Sequence, residues 1–275
     1  MTLHADLAVT RSFAVAAGHR LRFEEIRPSA GITDRPSLVF LHEGLGSILQ
    51  WRDVPRRLAA MTGLPALVYE RWGYGASDPL TPPRPDDYLE REALAALPEL
   101  LAACGIRRHV LIGHSDGGTI VLLHAAARPA GLLGIVCEAA HVFVEDCTIE
   151  GIGRAVEAWR TTDLPRRLAR YHGDRVETVF RGWAETWLRP SFRTWRITER
   201  LPDVHCPVLV IQGADDTYGT AAQVEAITEG VGGPAESLIV PGCGHAPHLE
   251  APDAVLPAIA RFIEQVAGGS GPLER

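Results

Sequence analysis

The chain has 275 residues and a net charge of −7, with 46% hydrophobic and 22% charged residues. This length accommodates one large α/β domain with an insertion, and the acidic balance argues against a nucleic-acid surface. All 27 basic residues are arginine, so a Schiff-base lysine, a phosphate-loop lysine and a serine–lysine pair are excluded.

Cysteine usage and the N-terminal residues predict a cytoplasmic protein. The five cysteines are scattered and include no Cys-x-x-Cys pair, which is typical of reduced, buried thiols rather than a disulfide or zinc framework. The first six residues lack the pattern of a signal peptide, and no run reaches the ~18 apolar residues of a membrane span. We expect no membrane partner, no cofactor and no metal, because the histidines and aspartates lack a ligand spacing such as His-Glu-x-x-His.

In chain order, the apolar patterns predict alternating strands and helices. Residues 7–27 alternate apolar and polar side chains, which indicates an antiparallel hairpin. The following segments are predicted as strands or helices in turn: strand 37–42, helix 50–62, strand 64–69, helix 88–104, strand 109–113, helix 116–128 and strand 133–137. Such alternation predicts a mostly parallel sheet covered by helices on both faces.

The alternation stops at residues 139–205, where the chain becomes helical, arginine-rich and aromatic. Four of the six tryptophans lie there, and most of these rings would fill the core of a small helical insertion. Some would line a pocket and favour an apolar or aromatic ligand, and we assign Trp159, Trp183 and Trp187 to substrate binding.

Alternation then resumes to the end of the chain. The predicted elements are strand 206–212, helix 220–229, strand 237–240 and a last helix from Pro252 to Val266. We therefore assign residues 1–138 and 206–267 to an α/β core, residues 139–205 to a helical cap and residues 268–275 to a flexible tail.

Ser115 lies in a Gly-x-Ser-x-Gly pattern between a predicted strand and a predicted helix. A serine on so sharp a turn is forced into a strained backbone conformation, and glycine on either side lets the strand and helix pack. The turn also directs the helix N-terminus at the reacting oxygen. A plain glycine-rich turn is the alternative, and the strand–turn–helix context favours a nucleophilic serine.

Two further residue types follow the later strands. Asp216 comes just after one strand and His245 just after the next. A serine hydroxyl needs a base, and the base needs a carboxylate to orient it. Because loops at the carboxyl ends of parallel strands meet at one edge of the sheet, Ser115, Asp216 and His245 can converge. A strand that ends in the glycine-rich turn at residues 43–47 could also leave backbone N–H groups free for an oxyanion hole.

These motifs resemble those of the α/β-hydrolase superfamily, and the resemblance covers nearly the whole chain. Its motifs are residues 41–46, 71–77, 113–118, 213–216 and 242–252. The resemblance implies the α/β-hydrolase fold, with a mostly parallel central sheet flanked by helices and a helical cap inserted between strands. It implies Ser115 as nucleophile, His245 as base, and the backbone N–H groups of Gly44 and Asp116 as oxyanion hole.

Two other residues are alternatives to Asp216 as the carboxylate that orients His245. The spacing typical of the superfamily selects Asp216 over Asp215, which would then be a loop acid. Glu138 follows the preceding strand, a position that some members use, and its other explanation is a structural pairing with a cap arginine or with His141.

Two acids depart from the superfamily pattern. Glu43 and Asp116 stand near the expected oxyanion hole, where exposed negative charge would oppose the reaction. We therefore predict that both carboxylates point away or are paired, with Arg71 as one candidate partner.

The sequence predicts a serine hydrolase that forms an acyl-enzyme. A carboxylesterase or lactonase acting on a small hydrophobic or aromatic ester is favoured, and the oligomeric state is open. Ser115 occupies the position at which haloalkane dehalogenases and epoxide hydrolases carry aspartate, which argues against those two activities. Carbon–carbon bond hydrolases of aromatic degradation use the same three residue types and remain an alternative. So does a non-catalytic ligand-binding protein of this fold.

Overall fold

An eight-stranded sheet forms the centre of the protein in the computed structural model, which describes residues 7–28 and 35–268. The strands are β1 (Leu7–Ala16), β2 (His19–Pro28), β3 (Ser37–Leu41), β4 (Ala66–Tyr69), β5 (His109–His114), β6 (Leu132–Glu138), β7 (Val208–Gly213) and β8 (Ala235–Val240). Their order across the sheet is β1-β2-β4-β3-β5-β6-β7-β8. The first two strands form the predicted antiparallel hairpin, and β2 also pairs antiparallel with β4. All other pairs are parallel.

Helices cover both faces of this sheet. They are α1 (Val54–Thr62), α2 (Tyr88–Arg91), α3 (Leu97–Ala103), α4 (Asp116–Ala126), α5 (Asp146–Thr161), α6 (Leu164–His172), α7 (Val176–Trp187), α8 (Ala221–Gly230), α9 (Pro247–Glu250) and α10 (Pro252–Gly268). Apolar side chains of α1 and α10 form one core layer with one face of the sheet, and those of α2, α3, α4 and α8 form the other. Because helices pack on both faces, every residue of β5 is buried.

One helical segment departs from the predicted pattern. The predicted helix 88–104 is continuous but widens into a π turn at Glu92–Ala96, between α2 and α3. The side chain of Glu92 is buried there and accepts a hydrogen bond of 2.8 Å from the hydroxyl of Tyr69. π turns of this kind are rare within α-helices and are often found near functional sites.

The segment between β6 and β7 contains α5, α6 and α7 and short 3₁₀ turns. Its first residues are not helical, and Phe143 forms an isolated β-bridge with Arg196 near the end of the segment. Gly268 ends α10, so the start of the predicted flexible tail is helical, and residues 269–275 lie outside the described residues.

The parallel topology determines where the functional loops lie. Strands β3, β5, β6, β7 and β8 run in the same direction, so the loops that follow them leave the same edge of the sheet. These loops carry Glu43, Ser115, His141, Asp216 and His245, respectively. The carboxyl edge of the sheet is therefore the place to look for a site.

Candidate active site

Ser115 occupies the tight turn between β5 and α4 in a strained conformation, with φ 53° and ψ −115°. The flanking glycines are required by close backbone contacts. A Cβ atom at Gly113 would stand 2.1 Å from the carbonyl oxygen of Gly117, and one at Gly117 would stand 2.0 Å from that of Leu41. The strained serine predicted from the Gly-x-Ser-x-Gly pattern is thus present.

A chain of hydrogen bonds runs from this serine to a buried carboxylate. Nε2 of His245 lies 3.0 Å from Oγ of Ser115, and Nδ1 of His245 lies 2.8 Å from Oδ2 of Asp216. Asp216 also accepts hydrogen bonds from the side chain of Gln212 and the backbone N–H of Tyr218. Burial tends to raise the pKa of Asp216, but the hydrogen bond and charge of His245, together with the backbone N–H of Tyr218, outweigh burial and lower that pKa. The carboxylate is therefore ionised where it can orient the imidazole.

The two other candidate acids lie elsewhere. Asp215 is exposed, so it faces solvent rather than the imidazole. Glu138 is fully buried and pairs with His248, whose Nδ1 lies 2.8 Å from its Oε2. The expected pairing of Glu138 with a cap arginine or with His141 is wrong, because α9 brings His248 directly over the end of β6.

Glu43 and His114 form an ion pair beneath His245. Nδ1 of His114 lies 3.5 Å from Oε2 of Glu43, and its Nε2 lies 2.7 Å from the backbone oxygen of His245. Burial would lower the pKa of His114, but the carboxylates of Glu43 and Glu138 raise it to about 9. Burial would likewise raise the pKa of Glu43, and His114 lowers it to about 2. Both groups are therefore charged near neutral pH.

Asp116 follows the serine, and its carboxylate is paired. Oδ2 lies 3.3 Å from Nη2 of Arg71 and accepts a hydrogen bond of 2.8 Å from the hydroxyl of Tyr88. Glu43 is held by His114 and by the side-chain amide of Gln50. The prediction that both acids are paired, with Arg71 as a partner, is confirmed.

The turn after β3 presents backbone N–H groups to the same site. Glu43 to Gly46 form a turn closed by a hydrogen bond of 3.0 Å from the Gly46 N–H to the Glu43 carbonyl. Within residues 7–28 and 35–268, the N–H groups of Gly44 and Asp116 donate to no protein acceptor. Both residues line the cavity that contains Ser115, so these two N–H groups are available to a ligand there.

A cavity of about 210 Å³ opens over Ser115 and His245, between the core and the inserted helices. The inserted segment contributes Thr148, Ile152, Leu168, Trp183 and Trp187 to its wall. Two of the three tryptophans assigned to substrate binding therefore line the cavity.

Trp159 does not line this cavity, which corrects its assignment to substrate binding. Its ring stacks on that of Phe180 at 4.2 Å, inside the inserted helices. Trp183 and Trp187 share a face of α7 because they are four residues apart, whereas Trp159 belongs to α5.

Sequence reasoning missed Tyr218, Ile152 and Leu168 as cavity residues. The Tyr218 ring lies 4.7 Å from that of His245, and its position two residues after Asp216 was the one available signal. Ile152 and Leu168 are ordinary apolar positions of helices, so only the packing of α5 and α6 identifies them.

The described part of the chain contains neither a metal-binding cluster nor a membrane-spanning helix. Residues 7–28 and 35–268 contain no group of three or more His, Cys, Asp or Glu side chains arranged to hold a metal ion. None of the helices in these ranges has the length and apolarity needed to traverse a bilayer.

Comparison with known proteins agrees with this arrangement. Residues 38–258 match the model of the alpha/beta hydrolase family. The chain belongs to this family. The sheet order and the turn at Ser115 described above are therefore features of an alpha/beta hydrolase.

Several named relatives of this alpha/beta hydrolase are similar to it over much of its length. The 2-succinyl-6-hydroxy-2,4-cyclohexadiene-1-carboxylate synthase of Enterobacter sp. (strain 638) is 27% identical over 268 residues, covering 85% of this chain and 94% of that protein. Serine hydrolase BPHL of Homo sapiens is 32% identical over 151 residues, covering 52% of this chain and 50% of that protein.

Solved structures share the fold at low sequence identity. The 2-hydroxy-6-oxo-6-phenylhexa-2,4-dienoate hydrolase from Rhodococcus sp. strain RHA1 matches with a TM-score of 0.79 and 15% identity, covering 94% of this chain and all of that one. Proline iminopeptidase from Mycobacterium smegmatis matches with a TM-score of 0.76 and 21% identity, covering 95% and 100% of the two chains. These likenesses show the alpha/beta hydrolase fold and nothing finer.

Proposed function

We propose that this alpha/beta hydrolase is a serine hydrolase that cleaves small, uncharged hydrophobic or aromatic carboxylic esters, lactones included, through an acyl-enzyme. The observation that carries the proposal is the hydrogen-bonded chain from Ser115 through His245 to Asp216, with separations of 3.0 Å and 2.8 Å. A serine, an imidazole and an ionised carboxylate in this order form the arrangement that makes a hydroxyl nucleophilic near neutral pH.

In the first half of the reaction, Oγ of Ser115 attacks the ester carbonyl while its proton passes to Nε2 of His245. The N–H groups of Gly44 and Asp116 are available to hold the oxyanion. The protonated imidazole, oriented by Asp216, then gives its proton to the departing alkoxide. In the second half, water attacks the acyl-enzyme by the same route, so that the acid is released and Ser115 regains its proton.

The charges around the cavity support an uncharged substrate. Among the described residues, its wall includes Glu43 and Asp116, whose carboxylates are already paired, and no arginine, and the chain has no lysine. A carboxylate on the substrate would therefore find no arginine or lysine in the wall and would be desolvated without compensation. Ile152, Leu168, Trp183 and Trp187 offer apolar surface instead.

Carbon–carbon bond cleavage is the second candidate, because it uses the same three residue types. The Enterobacter relative is named as the synthase of a carboxylate and the Rhodococcus enzyme as the hydrolase of a dienoate, so both names refer to organic acids. A cavity wall without an arginine favours neutral esters over such substrates. A receptor of this fold is the non-catalytic candidate, and turnover that depends on Ser115 distinguishes it from an enzyme.

Covalent labelling tests the proposal. A fluorophosphonate probe should add one adduct to the wild type, detected by intact mass, and none to Ser115→Ala or His245→Ala. The same samples should show turnover of p-nitrophenyl acetate and butyrate by the wild type alone, and the exposed control Ser12→Ala should match the wild type. A protein that takes no label and hydrolyses no ester contradicts the enzyme proposal and favours a binding function.

Two further substrates test the specificity. We expect the carboxylate-bearing ester p-nitrophenyl hemisuccinate to react at least tenfold more slowly than the butyrate ester. Proline p-nitroanilide, an amide, should be cleaved poorly. Preference for either compound would contradict the assignment to neutral esters while leaving the nucleophile assignment intact.

A further inference from the structure

A second cavity, of about 360 Å³, lies beside the π turn and shares no lining residue with the catalytic cavity. Tyr88 separates the two. Its ring lines the second cavity, while its hydroxyl contacts Asp116 and accepts a hydrogen bond of 3.0 Å from the indole N–H of Trp187, and both of those residues line the catalytic cavity. The volume is within the range of small-molecule sites, ~300–1,000 Å³.

The second cavity has a buried arginine in its wall. Arg84 is only 4% exposed, and its guanidinium carbon lies 4.8 Å from the ring centre of Tyr74 and 5.1 Å from that of Tyr88. Within the described residues, its Nε and Nη2 have no hydrogen-bond acceptor. Buried guanidinium N–H groups without acceptors are unfavourable, so this side chain lacks a partner. The two nitrogens are themselves fully buried, so an anion in the cavity would pair with them after a small rotation of the guanidinium.

Arg84 also lines a third cavity, whose wall carries Asp174, Glu177 and Glu185, and the two glutamates there pair with Arg181. On the side of the second cavity, the charges around Arg84 are mainly positive. Arg71 is buried beside it, 4.7 Å from the ring centre of the same Tyr74, and its Nε also lacks an acceptor among the described residues. Asp116 pairs with Arg71. Among the described residues that line the second cavity, Glu92 is the single acid, and burial raises its pKa, which favours the neutral form more than in an exposed glutamate.

The rest of the wall is mainly apolar. Trp72 is stacked on His19 at 4.2 Å, and Pro85, Ala95 and Ala96 complete this side. Arg91 lies at the exposed rim, where Asp87 pairs with it. An occupant that matches this wall combines an apolar body with one anionic group directed at Arg84.

We propose that this cavity is a second binding site, distinct from the catalytic one, for a small organic acid whose carboxylate pairs with Arg84. The planar guanidinium suits a carboxylate because both groups can form two parallel hydrogen bonds. The tyrosine rings on either side hold it in place, and the apolar body of the acid packs against Trp72 and the alanines of the π turn. The catalytic cavity, which has no arginine in its wall, offers no comparable partner for an acid.

Isothermal titration calorimetry with 4-phenylbutyrate tests the proposal in a Ser115→Ala background, in which no acyl transfer can occur. The uncharged 4-phenylbutyramide serves as the matched ligand. We expect the acid to bind, and to bind at least tenfold more tightly than the amide. Arg84→Met should weaken the acid at least tenfold, and Ala95→Trp, which fills the cavity and retains Arg84, should abolish its binding.

Ile152→Trp fills the catalytic cavity instead and should leave the acid's affinity unchanged. Circular dichroism and melting temperature establish that each variant folds. If Arg84→Met does not fold, the proposal is judged from Ala95→Trp and from the comparison of 4-phenylbutyrate with 4-phenylbutyramide. The proposal is overturned if the acid does not bind, if the amide binds equally well, if Ala95→Trp has no effect, or if Ile152→Trp alone removes binding.

Discussion

The indole of Trp183 lies directly against the backbone of Gly44. A Cβ atom at position 44 would stand 2.4 Å from Cδ1 and 2.5 Å from Nε1 of that ring. The inserted helix α7 therefore fits the turn after β3 only because residue 44 has no side chain. Since Gly44 carries one of the two N–H groups proposed to hold the oxyanion, the fit of α7 and the geometry of the reaction are linked.

We expect Gly44→Ala to lower kcat/KM for p-nitrophenyl butyrate by roughly 10- to 100-fold, because the methyl group must displace either the indole or the N–H group. The measurement is steady-state hydrolysis, with circular dichroism to check folding. Gly153→Ala is the matched control, since a Cβ at that helical position meets no atom within 4 Å. In a Trp183→Ala background the same substitution should cost much less, and equal losses in both backgrounds would contradict the linkage.

Local sequence patterns were sufficient to predict the elbow at Ser115 and the strands that carry Asp216 and His245. Each depends on a short apolar run and a few glycines whose roles are set within ten residues or so of chain. The Glu138–His248 pair could not be predicted in this way, because it joins a strand end to a short helix 110 residues later. The π turn at Glu92–Ala96 carries no sequence signal that separates it from ordinary helix.

The tryptophans also show that local sequence patterns do not predict tertiary contacts. The four-residue spacing of Trp183 and Trp187 places them on one helix face, but nothing local tells whether that face meets the cavity. Trp159 belongs to the same inserted segment and has the same aromatic side chain as Trp183 and Trp187. The packing of α5 against α7 nevertheless places its ring against Phe180. Which rings contact a ligand is therefore decided by tertiary packing.

The assignment of the acid gives a second prediction. Asp216→Asn keeps the shape of the side chain but removes the charge that holds Nδ1–H of His245, so we expect kcat to fall roughly 10³- to 10⁴-fold. Steady-state ester hydrolysis measures this. The neighbouring exposed Asp215→Asn should remain within about twofold of the wild type. If Asp215→Asn were the more damaging change, the acid assignment would be wrong.

Arg71 and Asp116 give a third prediction. Both side chains are almost fully buried, so among the described residues Arg71→Met leaves the Asp116 carboxylate with the Tyr88 hydroxyl as its single side-chain partner. We expect the free energy of unfolding to fall by about 3–5 kcal/mol, measured by urea denaturation. The double variant Arg71→Met/Asp116→Asn should recover part of this loss, because the uncompensated charge is removed. A double variant no more stable than Arg71→Met would show that the lost packing of Arg71, rather than the charge, is responsible.

The Glu43–His114 pair predicts a pH dependence of stability. In the folded protein, burial lowers the pKa of His114, but the carboxylates of Glu43 and Glu138 outweigh burial and raise that pKa to about 9. An unfolded histidine has a pKa of ~6.5. The folded state therefore binds the proton more tightly. Its contribution to stability is fully present below ~6.5 and is lost as the pH rises through about 9. Glu43, with a pKa of about 2, stays ionised throughout that window.

We expect the free energy of unfolding of the wild type to fall relative to that of His114→Asn between pH 6 and pH 9.5, by roughly 2–3 kcal/mol. Urea denaturation at half-unit intervals measures both proteins, and subtraction removes every other titrating group that they share. His205→Asn, at an exposed position, is the control and should track the wild type at each pH. A wild-type-minus-variant difference that stays constant across the window would mean that His114 is neutral in the folded protein. Beneath His245, the carboxylate of Glu43 would then face a neutral imidazole rather than form an ion pair.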